Sequence, residues 1–167
     1  MAKDHVLAKV EADLRRGHVH PAMQRLASLT AAYPDDLELR AQRAALYRQV
    51  GNVVEAGRWG FLDEDAAVEE IGAFERAHPG AWRRLLVLKV NADPTDKLGP
   101  VARARFGRLV EQAGQEGQGP VTWTEAGPRQ VPGAWSEALP CLVATVIGLI
   151  VLTLTVLGLV TVIRWAL

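Results

Sequence analysis

The apolar positions of this chain change rhythm twice. From Asp4 to Ala113 they recur every three or four residues, the spacing that lines one face of an α-helix. From Gly114 to Gly133 the rhythm dissolves among glycines and prolines. From Leu139 to Ile163 it becomes unbroken: 25 residues, LPCLVATVIGLIVLTLTVLGLVTVI, without a charge.

Punctuation divides the first stretch into helices. Asp4 is the expected cap of a helix with Val6, Val10 and Leu14 inward, and Gly17 ends it. Val19, Ala22, Met23, Leu26, Leu29 and Tyr33 share the face of a second helix, closed by Pro34. DDLE then offers a capping box, Asp35 to the amide of Glu38 with Glu38 reaching back. In a third helix Leu39, Arg43, Leu46 and Val50 fall on one side and Leu37, Ala41, Ala44 and Tyr47 on another, as in a helix packed between neighbours. Gly51-Asn52 turns the chain into a fourth helix carrying Ala56, Trp59 and Leu62. Asp65 is the expected cap of a fifth, with Ile71 and Phe74 inward and His78-Pro79-Gly80 stopping it. AWRRLLVLKV reads as a helix through Trp82, Leu85 and Leu86, although LLVLKV alone has a strand's composition. A last helix starts near Pro100 and turns Ala102, Phe106, Leu109 and Ala113 inward. Residues 114–137 read as a semi-extended linker in which VTWT docks its tryptophan loosely on the domain.

Three pairs, Gly17/Gly51, Val19/Val53 and Ala22/Ala56, are each 34 residues apart. That is the period of the tetratricopeptide repeat, which the stretch from Asp4 to Asp63 resembles. Ala44, Tyr47 and Ala56 fit a second unit and Ala22 and Pro34 a first; Asp13 stands where the first unit has its aromatic residue and Gly60 where the second has a large apolar one. EADL, AGRWGFL and AFERAHPGAW together resemble a family of small bacterial proteins, mainly from high-GC Gram-positives, classed as a domain of unknown function. The resemblance spans about Met1 to Thr124, leaves the final apolar run outside, and implies no activity and no site residues.

As a helix the apolar run is roughly 37 Å long at about 1.5 Å per residue, enough to cross about 30 Å of hydrocarbon with some tilt. Its wealth of Val, Ile and Thr suits a strand in water, but a lone strand in lipid leaves its amides unpaired, so helix prevails. Pro140 falls in the first turn, where a helix tolerates it. Trp135 and Trp165 bracket the run at the two interfaces, and Arg164 can extend to the far headgroups. The first thirty residues hold no apolar stretch of signal-peptide length, so residues 1–137 are expected in the cytoplasm, tethered from behind. The positive-inside bias does not decide the matter, with Arg129 near one end and Arg164 at the other. Ala144, Gly148, Thr155 and Gly158 fall on one small-residue stripe, a candidate contact for a homodimer through the membrane helix. Cys141 lies near the cytoplasmic interface and reads as a small apolar residue rather than an acylation site.

The fold class expected is therefore all-α: tetratricopeptide-like hairpins with capping helices over residues 1–113, the linker to 137, a transmembrane helix over 138–163 and a short tail, 164–167. Composition narrows the function. The 19 basic and 19 acidic side chains cancel, so nucleic acid is not an expected partner. A single cysteine excludes an internal disulfide, and four scattered histidines make no zinc site. His18 and His20 flank a turn with no third ligand near. The acidic residues at Asp63 to Asp65, Glu69 and Glu70 lack the glycine and spacing of a calcium loop. Arg103, Arg105 and Arg108 read as a solvated face, with contact to anionic lipid as the alternative. AGRWGFL draws attention because Gly57 and Gly60 each cost up to about 1 kcal/mol in a helix, which favours close packing or a partner held against Trp59.

No catalytic constellation, metal site or cofactor motif emerges. The bilayer and an unidentified protein are the expected partners. The expected role is a tail-anchored interaction or scaffold module, with Tyr47, Arg58 and Trp59 as candidate binding residues in an exposed apolar patch. The alternative is a small membrane-attached enzyme or ligand sensor, with His18 or His78 beside two carboxylates in a closed pocket.

Overall fold

The computed structural model describes residues 2–117, 119–124, 126–131 and 144–147. Its order is α1 (Ala2–Arg15), α2 (Val19–Ala32), α3 (Leu37–Gln49), α4 (Val53–Gly60), α5 (Val68–Ala77), α6 (Ala81–Leu88), a single 3-10 turn (Thr95–Lys97), α7 (Pro100–Glu116), β1 (Val121–Thr124) and β2 (Gly127–Gln130). Each of the first four helices packs on the next, and α6 pairs with α7. The described residues are thus mostly helical, with one small antiparallel sheet.

The periodicity of α2 and α7 reappears as burial. Ala22, Leu26 and Leu29 are enclosed, as are Ala102, Phe106, Leu109 and Ala113. The two-sided pattern of α3 has a physical counterpart in two clusters. Leu39 and Leu46 join Val10, Leu26 and Leu29 in the first. Leu37, on the other side, packs on the second, centred on Phe61, Phe74, Leu85 and Phe106. Asp13, where the repeat pattern expects an aromatic residue, is buried and paired with Arg25 at 2.7 Å. AWRRLLVL is helical, with Leu85 and Leu88 inward.

The turns explain the 34-residue spacing. Gly17 and Gly51 both have φ near +75°, a left-handed conformation that glycine adopts without penalty. Two residues later α2 and α4 begin, at Val19 and Val53.

Several expected caps fall elsewhere. The first helix starts at Ala2, which places Asp4 inside its first turn rather than at its cap. The cap of α3 is Asp36, accepting from the Leu39 amide at 3.2 Å. Asp35, one residue earlier, instead accepts from the distant Asn91 amide at 3.0 Å. Asp65 stands short of α5, whose N-cap is Ala67 and has no side-chain bond. Two helices are capped from afar. Glu64 accepts from the Val101 and Ala102 amides at the start of α7 (2.8 and 3.1 Å), and Glu116 from Ala81 and Trp82 at the start of α6 (2.7 and 2.9 Å).

The stretch read as a linker is more ordered than its composition suggests. The last helix continues to Glu116, and VTWT pairs with GPRQ, Trp123 opposite Pro128. Trp123 stacks on Phe106 with centroids 6.0 Å apart, and Gln130 donates to the Ala113 carbonyl at 2.7 Å. The docking expected of the tryptophan is present, but within a hairpin; Met1–Val131 forms one compact unit.

Of the apolar run, residues 144–147 are described: they are helical and exposed, and include Ala144 of the small-residue stripe. Gly148, Thr155, Gly158, Trp135, Trp165, Arg164, Pro140 and Cys141 lie outside the described residues. Among the described residues no helix is long and apolar enough to cross a membrane.

Candidate functional site

Short α4 holds Trp59 against α3, and the ring is 4% exposed. The exposed aromatic patch expected here is therefore absent from Trp59, because three guanidinium groups cover it. Arg43 lies 3.8 Å from the ring centroid, Arg58 4.8 Å and Arg40 5.0 Å. A cation over an aromatic face gains energy from the ring quadrupole, most strongly over tryptophan. The indole nitrogen donates to Glu55 at 3.0 Å, one helical turn back.

Each arginine is positioned by the domain itself. Arg58 donates from Nε to the Val87 carbonyl at 2.9 Å and from Nη1 to Glu55, so α4 is tied to α6. Arg43 donates to Thr30 on α2 and, at 3.4 Å, to the Tyr47 hydroxyl. Arg40 is 1% exposed and donates from Nη1 to the Pro34 carbonyl at 3.2 Å, while its Nε and Nη2 are buried with no acceptor. Burial pushes the Arg40 pKa down to about 10, with Arg58 and Arg43 adding to the depression and Asp35 opposing it. It remains charged at neutral pH, and the charge is under-compensated.

In front of the Trp59 ring lies a cavity of about 560 Å³. Thr30, Arg43, Arg58 and Lys89 supply its polar wall; Ala31, Leu86 and Val90 supply an apolar one. Ala126 and Pro128 of the hairpin complete the rim. Lys89 follows α6 in the left-handed conformation, φ 51°, and is exposed. Such a site can hold an anion with an apolar body attached.

Of the three residues singled out from sequence, Trp59 and Arg58 line this cavity, and Tyr47 touches it only through Arg43. Sequence reasoning passed over Arg40, Lys89 and Asn91 and counted Arg43 only as part of an apolar face. The available signal was a pair of arginines three residues apart on a helix with both sides inward.

The other candidates disperse. His18 is exposed, His20 bonds Gln24 at 3.1 Å, and the His78 ring lies against Phe74 at 5.1 Å with Nδ1 unpartnered. Glu70 is buried and doubly bonded to Arg48, while Glu64 caps α7. Among the described residues no group of three or more His, Cys, Asp or Glu is placed to hold a metal. Arg103 and Arg105 are not simply solvated: Arg103 donates to the Thr95 and Leu98 carbonyls and Arg105 to those of Phe61 and Asp63.

Compared with known proteins, residues 1–164 match a family model described as a family of unknown function, DUF6584. The match runs past Thr124 and takes in the final apolar run, which corrects the shorter resemblance expected from the motifs. No curated protein and no solved structure matches the chain.

Proposed function

The chain belongs to DUF6584, a family of unknown function, and from that premise we propose that it is a tail-anchored, single-pass membrane protein whose cytoplasmic domain is a binding module rather than an enzyme. The observation that carries the binding reading is the cavity before Trp59. Its two arginines are held in place by a carbonyl and hydroxyls of the domain, and one carboxylate, Glu55, bonds both Arg58 and the indole. A packing device has no use for an under-compensated charge, which costs stability unless something answers it.

Two further observations support the reading. The family match spans the helical domain and the charge-free run together, so the run belongs to the family's pattern rather than to an appendage. The matching left-handed turns at Gly17 and Gly51 support a pair of tetratricopeptide-like hairpins over α1 to α4. The second departs from that pattern, with α4 of 8 residues against 14 for α2. The module thus works as an interaction or scaffold domain held at the bilayer. A ligand-sensing role is the second reading, favoured by a cavity within the roughly 300–1,000 Å³ typical of small-molecule sites.

Extraction of membranes carrying the full-length chain with alkaline carbonate tests the tether. The chain is expected in the pellet, with residues 1–131 cut by protease only after the cells are opened. Release into the supernatant, or cleavage in unbroken cells, overturns it.

A further inference from the structure

We infer that the cavity before Trp59, read above as the module's recognition site, is built for the dianionic phosphate of a small organic phosphate monoester carrying an apolar body. The inference rests on that reading and adds the ligand's charge, size and chemistry.

Charge sets the valence. Arg40, Arg43 and Arg58 stand over the Trp59 ring and Lys89 lines the cavity before it; against these four cations, Glu55 bonds Arg58 and Asp35 acts on Arg40. The formal sum is 4 − 2 = +2, in a chain whose whole sum is zero. A carboxylate or a sulfate ester brings one negative charge and leaves a surplus. A phosphate monoester above its second ionisation, near pH 6, brings nearly two and three strong acceptor oxygens. Guanidinium groups match those oxygens in geometry.

Position sets the mode. Arg43, Arg58 and Lys89 line the cavity and meet the anion directly. Arg40 lies on the same ring but is closed off from solvent, with Nε and Nη2 unpartnered, so it acts through its field. A field from a buried charge is weakly screened and strong across a few ångströms. Ala31, Leu86 and Val90 give the ester's body an apolar surface. The volume, about 560 Å³, favours a small molecule over a peptide segment.

The test is calorimetric titration of the full-length chain in detergent micelles with phenyl phosphate and phenyl sulfate, at pH 8 and pH 5. Phenyl phosphate is expected to bind at least tenfold more tightly than phenyl sulfate at pH 8. That advantage falls about tenfold at pH 5, where most of the phosphate is monoanionic. Arg43→Gln and Lys89→Gln are each expected to weaken phenyl phosphate about fivefold or more. Arg108→Gln, an exposed arginine on α7, should leave it unchanged. Lys89 is exposed at its helix end, so its variant keeps the test valid should Arg43→Gln fail to fold. Equal binding of the two esters at pH 8, no binding of phenyl phosphate, or a Lys89→Gln chain that matches Arg108→Gln overturns the inference. A phosphoserine peptide binding more tightly than phenyl phosphate overturns it in favour of a protein segment. The two readings fail separately. A chain washed off by carbonate that still prefers phosphate loses the tether alone. A membrane-held chain that binds both esters alike remains a binding module without phosphate selectivity.

Discussion

Gly57 sits where α4 meets α5 with no side chain between them. A β-carbon there would stand 1.9 Å from the Glu70 carbonyl oxygen and 3.1 Å from the Phe74 β-carbon, so backbone must move to admit one. At Gly60 the nearest atoms are the β-carbons of Ala44 and Ala66, 3.5 and 3.8 Å away, which is ordinary contact. Gly57→Ala is therefore expected to destabilise the chain by about 2 kcal/mol, within the usual cost of overpacking. Gly60→Ala is expected to be neutral or slightly stabilising through helix propensity. Urea unfolding of the two variants separates them, and similar behaviour would contradict the packing assigned to Gly57. The sequence flagged both glycines alike as costly in a helix, and close packing was one of its two explanations. It had no means of telling which glycine faces a neighbouring backbone, because that depends on where α5 lies. Trp59 shows the same boundary: the flanking glycines drew attention to it, but its burial under three arginines was not legible.

At the scale of elements, the helices with strong periodicity and the turns that separate them were readable, whereas several of their caps were not. The faces of α2, α3 and α7 follow from spacing, except that Tyr33 and Val50, expected on the inner faces of α2 and α3, are exposed just past the helix ends; the caps of α6 and α7 come from Glu116 and Glu64, 35 and 37 residues away. The local positions at those two ends are Gly80 and Gly99, which have no side chain to offer. A bare glycine before a helix was the only hint that a cap must come from elsewhere. Backbone amides hold both glutamates below their ordinary pKa, the bonds to Val101 and Ala102 dominating for Glu64 and those to Trp82 and Ala81 for Glu116. A depressed pKa in the folded state means stability that is fully present above the ordinary carboxylate pKa and lost as pH falls below it through the depressed one. A Glu64→Gln, Glu116→Gln double variant is expected to unfold at a lower temperature than wild type at pH 7. The gap should narrow on acidification below the ordinary carboxylate range, as the two wild-type side chains take up their protons at their depressed pKa values. A gap that widens on acidification would contradict the capping role. The hairpin was hidden for a related reason: β1 and β2 have four residues each, and Trp123 is fixed by Phe106 on α7, a contact that composition does not encode.

Over the whole molecule, acidic and basic side chains balance, yet the region around Trp59 carries a surplus of two positive charges. Folding a guanidinium into a site where two of its nitrogens find no acceptor costs free energy, offset only in part by its bond to the Pro34 carbonyl and its place over the Trp59 ring. The central claim is that this cost is kept for recognition, not for holding the fold together. Thermal unfolding of the full-length Arg40→Met chain beside wild type, in the same micelles and without ligand, tests it most directly. An apolar side chain of similar reach replaces a buried, under-compensated charge, so the midpoint is expected to stay level or rise, by an amount equivalent to roughly 1–4 kcal/mol. A midpoint that drops by several degrees would show that Arg40 is structural, and the claim would be wrong.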